Sequence, residues 1–281
     1  MIEKRGLTVV EIEILEKTKD YMRFIVKGVN VPFVNALRRI MTSEVPAMAI
    51  DEVVILENSS MINDEILAHR MGFIPLGTDL DSYNLPEECT CKSEFGCNLC
   101  RLTLTLEAEA TEKTITVHSR DLKSENPDIT PVSGKIQIVK LAPEQKIKLE
   151  AYARLGKGKD HAKWQPVSMC TYKYLPQIKI DLERCNACAE CVKLCPERVL
   201  VDIEEGIGTQ NVIKCTLCMD CVDACPQNPP PIDISWNKEA FVFRIESNGG
   251  LPIERIMLEA LKILNQKIKD FSNQLKKVKK K

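Results

Sequence analysis

The feature that most constrains this chain is a repeated run of cysteines. Cys185-x2-Cys188-x2-Cys191-x3-Cys195-Pro196 recurs as Cys215-x2-Cys218-x2-Cys221-x3-Cys225-Pro226. Three thiolates at this tight spacing wrap three corners of an iron–sulfur cubane, while the fourth, set before a proline, points away to the neighbouring cluster. The spacing therefore predicts one 4Fe-4S cluster on Cys185, Cys188, Cys191 and Cys225, and a second on Cys215, Cys218, Cys221 and Cys195. Exchange of the fourth ligands staples the two halves together. Zinc on paired knuckles uses two thiols per knuckle and leaves the third and fourth unexplained. The window 181–233 carries ten acidic residues against four basic ones, is poor in large apolar side chains, and closes on Pro229, Pro230 and Pro231. A segment with so little to bury is expected to take its folding energy from cluster binding.

Twelve of the thirteen cysteines fall in two windows, and the second window is Cys89-x-Cys91-x5-Cys97-x2-Cys100 in a polar loop. Four thiolates around one tetrahedral ion would pin such a loop, and structural zinc is the expected occupant; free thiols, a redox disulfide or another metal are the alternatives. The start, Met1-Ile2-Glu3-Lys4-Arg5, leads into no hydrophobic signal region. The expectation is thus an intracellular, cytoplasmic chain with reduced thiols rather than a disulfide framework. Cys170 stands alone and reads as a small buried hydrophobe.

With 281 residues, 44% of them hydrophobic, the chain can bury a sizeable core in two or three compact units. Its 39 basic and 40 acidic residues leave a net charge of -1, which disfavours stand-alone binding to nucleic acid. No apolar run reaches the length of a membrane helix.

Interleaved apolar and charged residues predict strands over 7–14 and 21–26, broken by the polar 16–20. A short helix is expected from Pro32 to Ser43, with Phe33, Val34, Leu37, Ile40 and Met41 giving it a broad apolar face. Met48 to Leu56 reads as a strand and Asn63 to Arg70 as a helix stopped by Gly72. Further strands are predicted over 102–107, 114–117, 135–139, 146–153 and 240–246. After the turn Asn248-Gly249-Gly250, the residues Ile253, Met257, Ala260, Leu264, Ile268, Phe271 and Leu275 recur at helical spacing behind Pro252. Such a stripe faces either the chain's own core or a partner helix, and more than six turns is longer than a small sheet covers. The Lys276 to Lys281 end reads as a solvated tail.

Enzyme signatures are missing: no Gly-x-Gly-x-x-Gly, no Walker-type loop and no Gly-x-Ser-x-Gly. His69, His118 and His161 lie far apart in sequence and read as packing or surface residues. Asp79 and Asp81 read as a solvated acidic pair.

Residues Asn35-Ala36-Leu37-Arg38-Arg39-Ile40-Met41-Thr42-Ser43-Glu44-Val45-Pro46-Ala47-Met48-Ala49-Ile50 resemble the signature helix and turn of the RNA polymerase assembly subunits, the bacterial alpha N-terminal domain and its relatives. Glu65 to Leu76, Ser119 to Leu122 and Gly158 to Trp164 resemble further blocks of that family. With its cysteine-rich insertions the chain is similar to the archaeal branch of these assembly subunits over nearly its whole length. The resemblance implies an α+β fold in three parts: a dimerisation domain over 1–46 and 236–281, a β-rich insert domain over 47–178 with its cysteine-rich loop at 86–100, and a ferredoxin-like iron–sulfur domain over 179–235. It implies that the Pro32 to Ser43 helix and the C-terminal helix pack on a small partner, subunit L. The expected interface residues are Phe33, Leu37, Ile40, Met257, Leu264, Ile268 and Phe271. Arg38 and Arg39 are expected near the large catalytic subunits, unless they are simply a solvated helix face. Eukaryotic relatives carry a zinc loop at the position of Cys89 to Cys100, with a shorter central gap than the five residues here.

The reading that follows is a non-catalytic assembly subunit of DNA-directed RNA polymerase, touching DNA only through the complex and no membrane, whose two-cluster domain is structural or redox-sensing. The alternative is an electron-transfer iron–sulfur subunit of an oxidoreductase.

Overall fold

A computed structural model describes residues 9–93, 96–204 and 206–278. In chain order its elements are β1 (Glu11–Lys17), β2 (Tyr21–Lys27), α1 (Val31–Ser43), β3 (Pro46–Asn58), α2 (Asp64–Gly72), β4 (Leu102–Glu109), β5 (Ile115–His118), β6 (Lys123–Ser124), β7 (Gln137–Leu141), β8 (Lys146–Lys157), β9 (Val167–Ile180), α3 (Glu190–Leu194), β10 (Leu200–Ile203), β11 (Gly206–Thr209), α4 (Asp220–Asp223), β12 (Ile232–Ser247) and α5 (Ile253–Val278). The first two residues of the strand predicted over 7–14, and the last three of the lysine tail, lie outside the described residues.

The chain divides into two compact units. One takes the residues up to Lys17, Arg23–Val34 and Thr171–Arg244, and it is built on a four-stranded sheet in the order β1, β2, β12, β9. Rings hold its central strands: Phe24 stacks on Phe243 at 5.2 Å, Tyr172 meets Phe241 edge-on at 5.9 Å, and Tyr174 lies between Phe241 and Trp236. The cysteine-rich segment sits in this unit as two short helices, α3 and α4, and the hairpin β10–β11, in which Leu200 pairs with Thr209 and Ile203 with Gly206.

The other unit comprises Thr18–Met22, Asn35–Cys170 and Ile245–Lys281. Its sheet runs β3, β8, β4, β6. Alternation turns Ile147, Leu149, Ala151, Ala153 and Leu155 of β8 inward, and the antiparallel register sets Leu104 against Ala151 and Leu106 against Leu149. With Leu67 and Met71 of α2 and Ile138 and Leu141 of β7 they form the core. Helix α2 follows its charge pattern, with Asp64 and Glu65 in the first turn and His69 and Arg70 in the last, each favourable to the helix dipole.

Two strands differ from expectation. The strand predicted over 240–246 is the second half of the longer β12, because Asp233, Asn237, Lys238 and Glu239 hide its first half from a hydrophobicity pattern. Strand β9 has no counterpart among the predicted strands, since most of its residues are half-buried and show no clean alternation. Helix α1 starts one residue earlier than expected, where the Asn30 side-chain oxygen accepts the Phe33 N–H at 3.1 Å as an N-cap. Among the described residues no helix is long and apolar enough to cross a membrane.

Candidate metal centres and interface faces

The loop between α2 and β4 is stitched at both ends: Asn84 N–H donates to the Leu99 carbonyl at 2.8 Å, and Tyr83 and Leu85 are buried in the core. A tight turn follows, in which the Cys97 carbonyl accepts from Cys100 and Arg101 N–H, both at 2.9 Å, while Cys97 N–H reaches Cys100 Sγ at 3.2 Å. The turn brings all four predicted thiols together. Sγ atoms are 3.7 Å apart for Cys89 and Cys97, 3.8 Å for Cys91 and Cys100, and 3.9 Å for Cys97 and Cys100, and all four lie within 4.8 Å of one another. A tetrahedral ion with zinc–sulfur bonds of about 2.3 Å has sulfur–sulfur edges of about 3.8 Å.

Thiol chemistry in this nest is divided. The Ser93 N–H and the neighbouring thiols bring Cys91 down to about 7, whereas burial pushes Cys100 up to about 12. One thiolate beside protonated partners can receive a divalent cation, which then displaces the remaining protons.

Beside the nest, β-strand geometry arranges charges that the sequence reading did not single out. A bulge between Ile50 and Glu52 leaves Asp51 without a strand partner and turns its carboxylate aside. It accepts from Arg154 Nε at 2.6 Å and Lys163 Nζ at 2.5 Å. Burial raises this carboxyl, but the two hydrogen bonds outweigh it and hold Asp51 below the ordinary carboxylate range. Trp164 lies under both cations, donating from Nε1 to the Arg154 carbonyl at 3.2 Å, and a Cβ on Gly156 would run into its ring. No signal in the sequence marks this cluster beyond the Gly158 to Trp164 block.

In the segment that carries the cysteine repeat, all eight predicted ligands are free cysteines. Cys195, Cys215, Cys218 and Cys221, the expected second set, line one cavity with Ile178, Val199, Leu200, Met219 and Ile234. Burial and the charges of Cys195, Cys215 and Cys218 push the Cys221 thiol up to about 11. Of the first set, Cys185 and Cys188 add to burial in raising Cys191. Cys225, its expected fourth member, is half-buried in the turn after α4, where its N–H donates to the Val222 carbonyl. Four free thiols around one cavity are the donor set that a cubane takes. Lys173 on β9 reaches into this segment and donates from Nζ to the Cys215 carbonyl at 3.0 Å. Cys170 is half-buried, and burial pushes its thiol up to about 12, as suits an inert position.

The expected interface residues fall into two groups. Leu37 and Ile40 are only 6% and 3% exposed, so the chain itself covers them. Met257 and Leu264 are half-buried. Ile268 and Phe271, at 60% and 63%, stand open on α5, as do Leu258, Leu275 and Val278, while Phe33 is open on α1. Arg38 donates to the Asn35 side chain at 3.1 Å, and Arg39 is exposed. Of the other singled-out groups, Asp79 caps its own loop by accepting Asp81 and Ser82 N–H, and Asp81 pairs with Arg255 at 2.6 Å. His161 Nδ1 accepts the Lys163 N–H, His69 packs on Phe73, and His118 caps the turn after β5.

The profile of the RNA polymerase Rpb3/Rpb11 dimerisation domain matches residues 23–268. The chain belongs to this family. Among relatives within it, a protein of Methanosphaera stadtmanae named DNA-directed RNA polymerase subunit Rpo3 is 39% identical over 94% of this chain and 98% of its own length. Proteins of the same name from Methanothermobacter thermautotrophicus and Pyrococcus horikoshii are 43% and 40% identical, over 92% and 96% of this chain and 96% and 99% of their own lengths. On the Rpb3/Rpb11 fold, the sequence blocks that resemble the polymerase assembly subunits lie on α1 with the start of β3, on α2, and in the turns that follow β5 and β8. The mixed α and β content expected of the family is present, and these full-length relatives are archaeal.

Proposed function

We propose that this chain is a non-catalytic assembly subunit of an archaeal RNA polymerase. It pairs with a small partner, subunit L, and the pair then receives the large catalytic subunits inside the cell, so that DNA is met only through the complex. The observation that carries the reading is the open apolar stripe of α5: Ile268 and Phe271 are exposed on a chain that belongs to a dimerisation family. Single exposed apolar residues are ordinary on a protein surface, but a run at helical spacing is the mark of a surface that is covered in use. Phe33 on α1 is exposed as well, while Leu37 and Ile40 are covered by the chain itself. Arg38 and Arg39 then serve the contact with the large subunits.

In this reading 1–46 and 236–281 are the dimerisation domain, 47–178 the insert, and 179–235 a ferredoxin-like domain with two 4Fe-4S clusters. The cysteine-lined cavity supports one cluster on Cys195, Cys215, Cys218 and Cys221, and the repeat supports the other on Cys185, Cys188, Cys191 and Cys225. These clusters, when bound, supply folding energy and a redox-sensitive centre. The nest of Cys89, Cys91, Cys97 and Cys100 holds zinc as a loop clamp.

Native mass spectrometry of the protein isolated without oxygen from its own cells tests the reading. The expected result is a heterodimer with a much smaller chain, a larger polymerase assembly, and a mass excess for two iron–sulfur cubanes and one zinc ion. Isolation with a flavin or hydrogenase-type enzyme and no polymerase chains would overturn it in favour of electron transfer.

A further inference from the structure

The two sets of cluster cysteines have matched burial. In each run the first and fourth residues are half-buried, the second is exposed and the third is buried. Exposure of the ligands therefore does not distinguish the two sets. What separates them has to come from net charge and from hydrogen bonds to sulfur, the other influences the protein controls. Charge differs between the two sets.

The charge difference comes from Lys173. Its ammonium is half-buried and bonded to the carbonyl of Cys215, the first ligand of the second run. Arg23 and Glu197 lie near it with one charge of each sign, and Glu197 also lines the cavity of the second set, so the two offset each other and Lys173 remains as the net charge. Near the other set, Lys193 is 66% exposed and already paired with Glu190 at 2.7 Å. On α4, Asp220 and Asp223 are exposed and act through water and salt. A half-buried charge works at an effective dielectric about four-fold lower than that of water, so Lys173 outweighs each of them at equal distance.

Both sets receive hydrogen bonds at sulfur. Val199, four residues past Cys195, donates its N–H to Cys195 Sγ at 3.3 Å. The corresponding residue, four past Cys225, is Pro229, which has no N–H to give. Cys195 crosses over to the second set and Cys225 to the first, so this bond falls on the cluster beside Lys173; on the first set the Val192 N–H is directed at the Cys191 sulfur, so it is charge that separates the two sets.

Reduction adds one electron, and hence one negative charge, to a cluster and its four thiolates. A nearby cation and an N–H aimed at sulfur both favour that state. We propose that the cluster on Cys195, Cys215, Cys218 and Cys221 is the more readily reduced of the two, and that Lys173 is the positioning residue that sets it above its neighbour. The inference rests on the two-cluster reading under Proposed function. A chain poised in this way takes its first electron at one defined place, in the half that Lys173 ties to β9.

The test is an EPR-monitored redox titration of the full-length chain, loaded anaerobically and reduced with dithionite through mediators, alongside iron and sulfide analysis. Variants Cys188→Ser and Cys218→Ser, each losing one cluster, assign the waves. The wild type is expected to titrate in two steps, the higher belonging to the cluster that Cys218→Ser removes. Lys173→Gln is expected to shift that step down by roughly tenfold in the reduction equilibrium, about 59 mV for one electron, and Lys173→Arg to restore it. Eight irons with a Lys173→Gln titration like the wild type overturns the inference alone. A chain that takes zinc in place of iron at these cysteines overturns the two-cluster reading and the inference with it.

Discussion

The β3–β8–β4 body and the cysteine-rich segment meet the same requirement, a unique folded state, by different physics. The body buries Leu104, Leu106, Ile138, Leu141, Ile147 and Leu149 almost completely, and burial on that scale orders the chain without help. The segment gathers Cys191, Leu200, Ile207, Cys221, Ile232 and Ile234, so that two of its buried residues are themselves predicted ligands. Its helices are short, and Ala187, Ala189, Leu217 and Met219 adopt left-handed backbone conformations beside the cysteines, which non-glycine residues take only when something holds them there. One region can therefore lose a methyl group or two and stand; the other, in the proposed reading, depends on what its thiols bind.

The largest effect expected from this contrast comes from removing the clusters. In the double variant Cys188→Ser, Cys218→Ser, hydrogen exchange is expected to show protection lost across β10, β11 and α3, a local loss on the order of 10 kcal/mol on the scale of metal-dependent small domains. Protection in β4 and β8 is expected to stay, and its collapse would end the contrast. Next, Leu104→Ala should lower the urea stability of the body by about 2–5 kcal/mol, as for a fully buried leucine, with iron content unchanged. A third change sharpens the difference between covered and uncovered apolar surface. Ile268→Glu is expected to leave the free chain within about 0.5 kcal/mol of its stability while weakening partner binding by about 2 kcal/mol or more. Calorimetry on the free chain and on the heterodimer separates the two, and an equal loss in both would make the α5 stripe internal core.

The smallest effect lies in the polar cluster of the body. Asp51→Asn should cost about 1.5–3 kcal/mol at neutral pH, the range for a hydrogen bond to a charged group. Because the folded carboxyl titrates below its unfolded value, its contribution is complete above the ordinary carboxylate range, roughly pH 4, and is lost as acid takes the pH through the lower folded value. Melting curves of the wild type and variant should thus converge in acid, and a constant gap would mean that packing, not charge, is what Asp51 contributes.

Much of this was legible from residue order because it is local. Ligand spacing in the repeat, the alternation in β8 and β4, and the periodic stripe of α5 are all properties of a chain's immediate neighbours. The strand β9 escaped because half-buried positions blur the alternation, and the front of β12 because polar residues occupy it. At the Cys89 to Cys100 loop the four ligand types were evident, while their common approach within 4.8 Å needed the turn at Cys97 and the stitch from Asn84 to Leu99.

Residue order alone settles the chemistry available and its periodicity: eight thiols in the repeat, four in the loop, and apolar faces on α1 and α5. Only the tertiary structure decided which of those faces stays open, covering Leu37 and Ile40 but not Ile268 and Phe271, and where charge comes to rest, bringing Lys173 to Cys215 and both Arg154 and Lys163 to Asp51. The physical reason is that exposure and electrostatic partnership belong to contacts between residues far apart in the chain, 42 positions for the first of these ties and 112 for the longest. No local pattern encodes them.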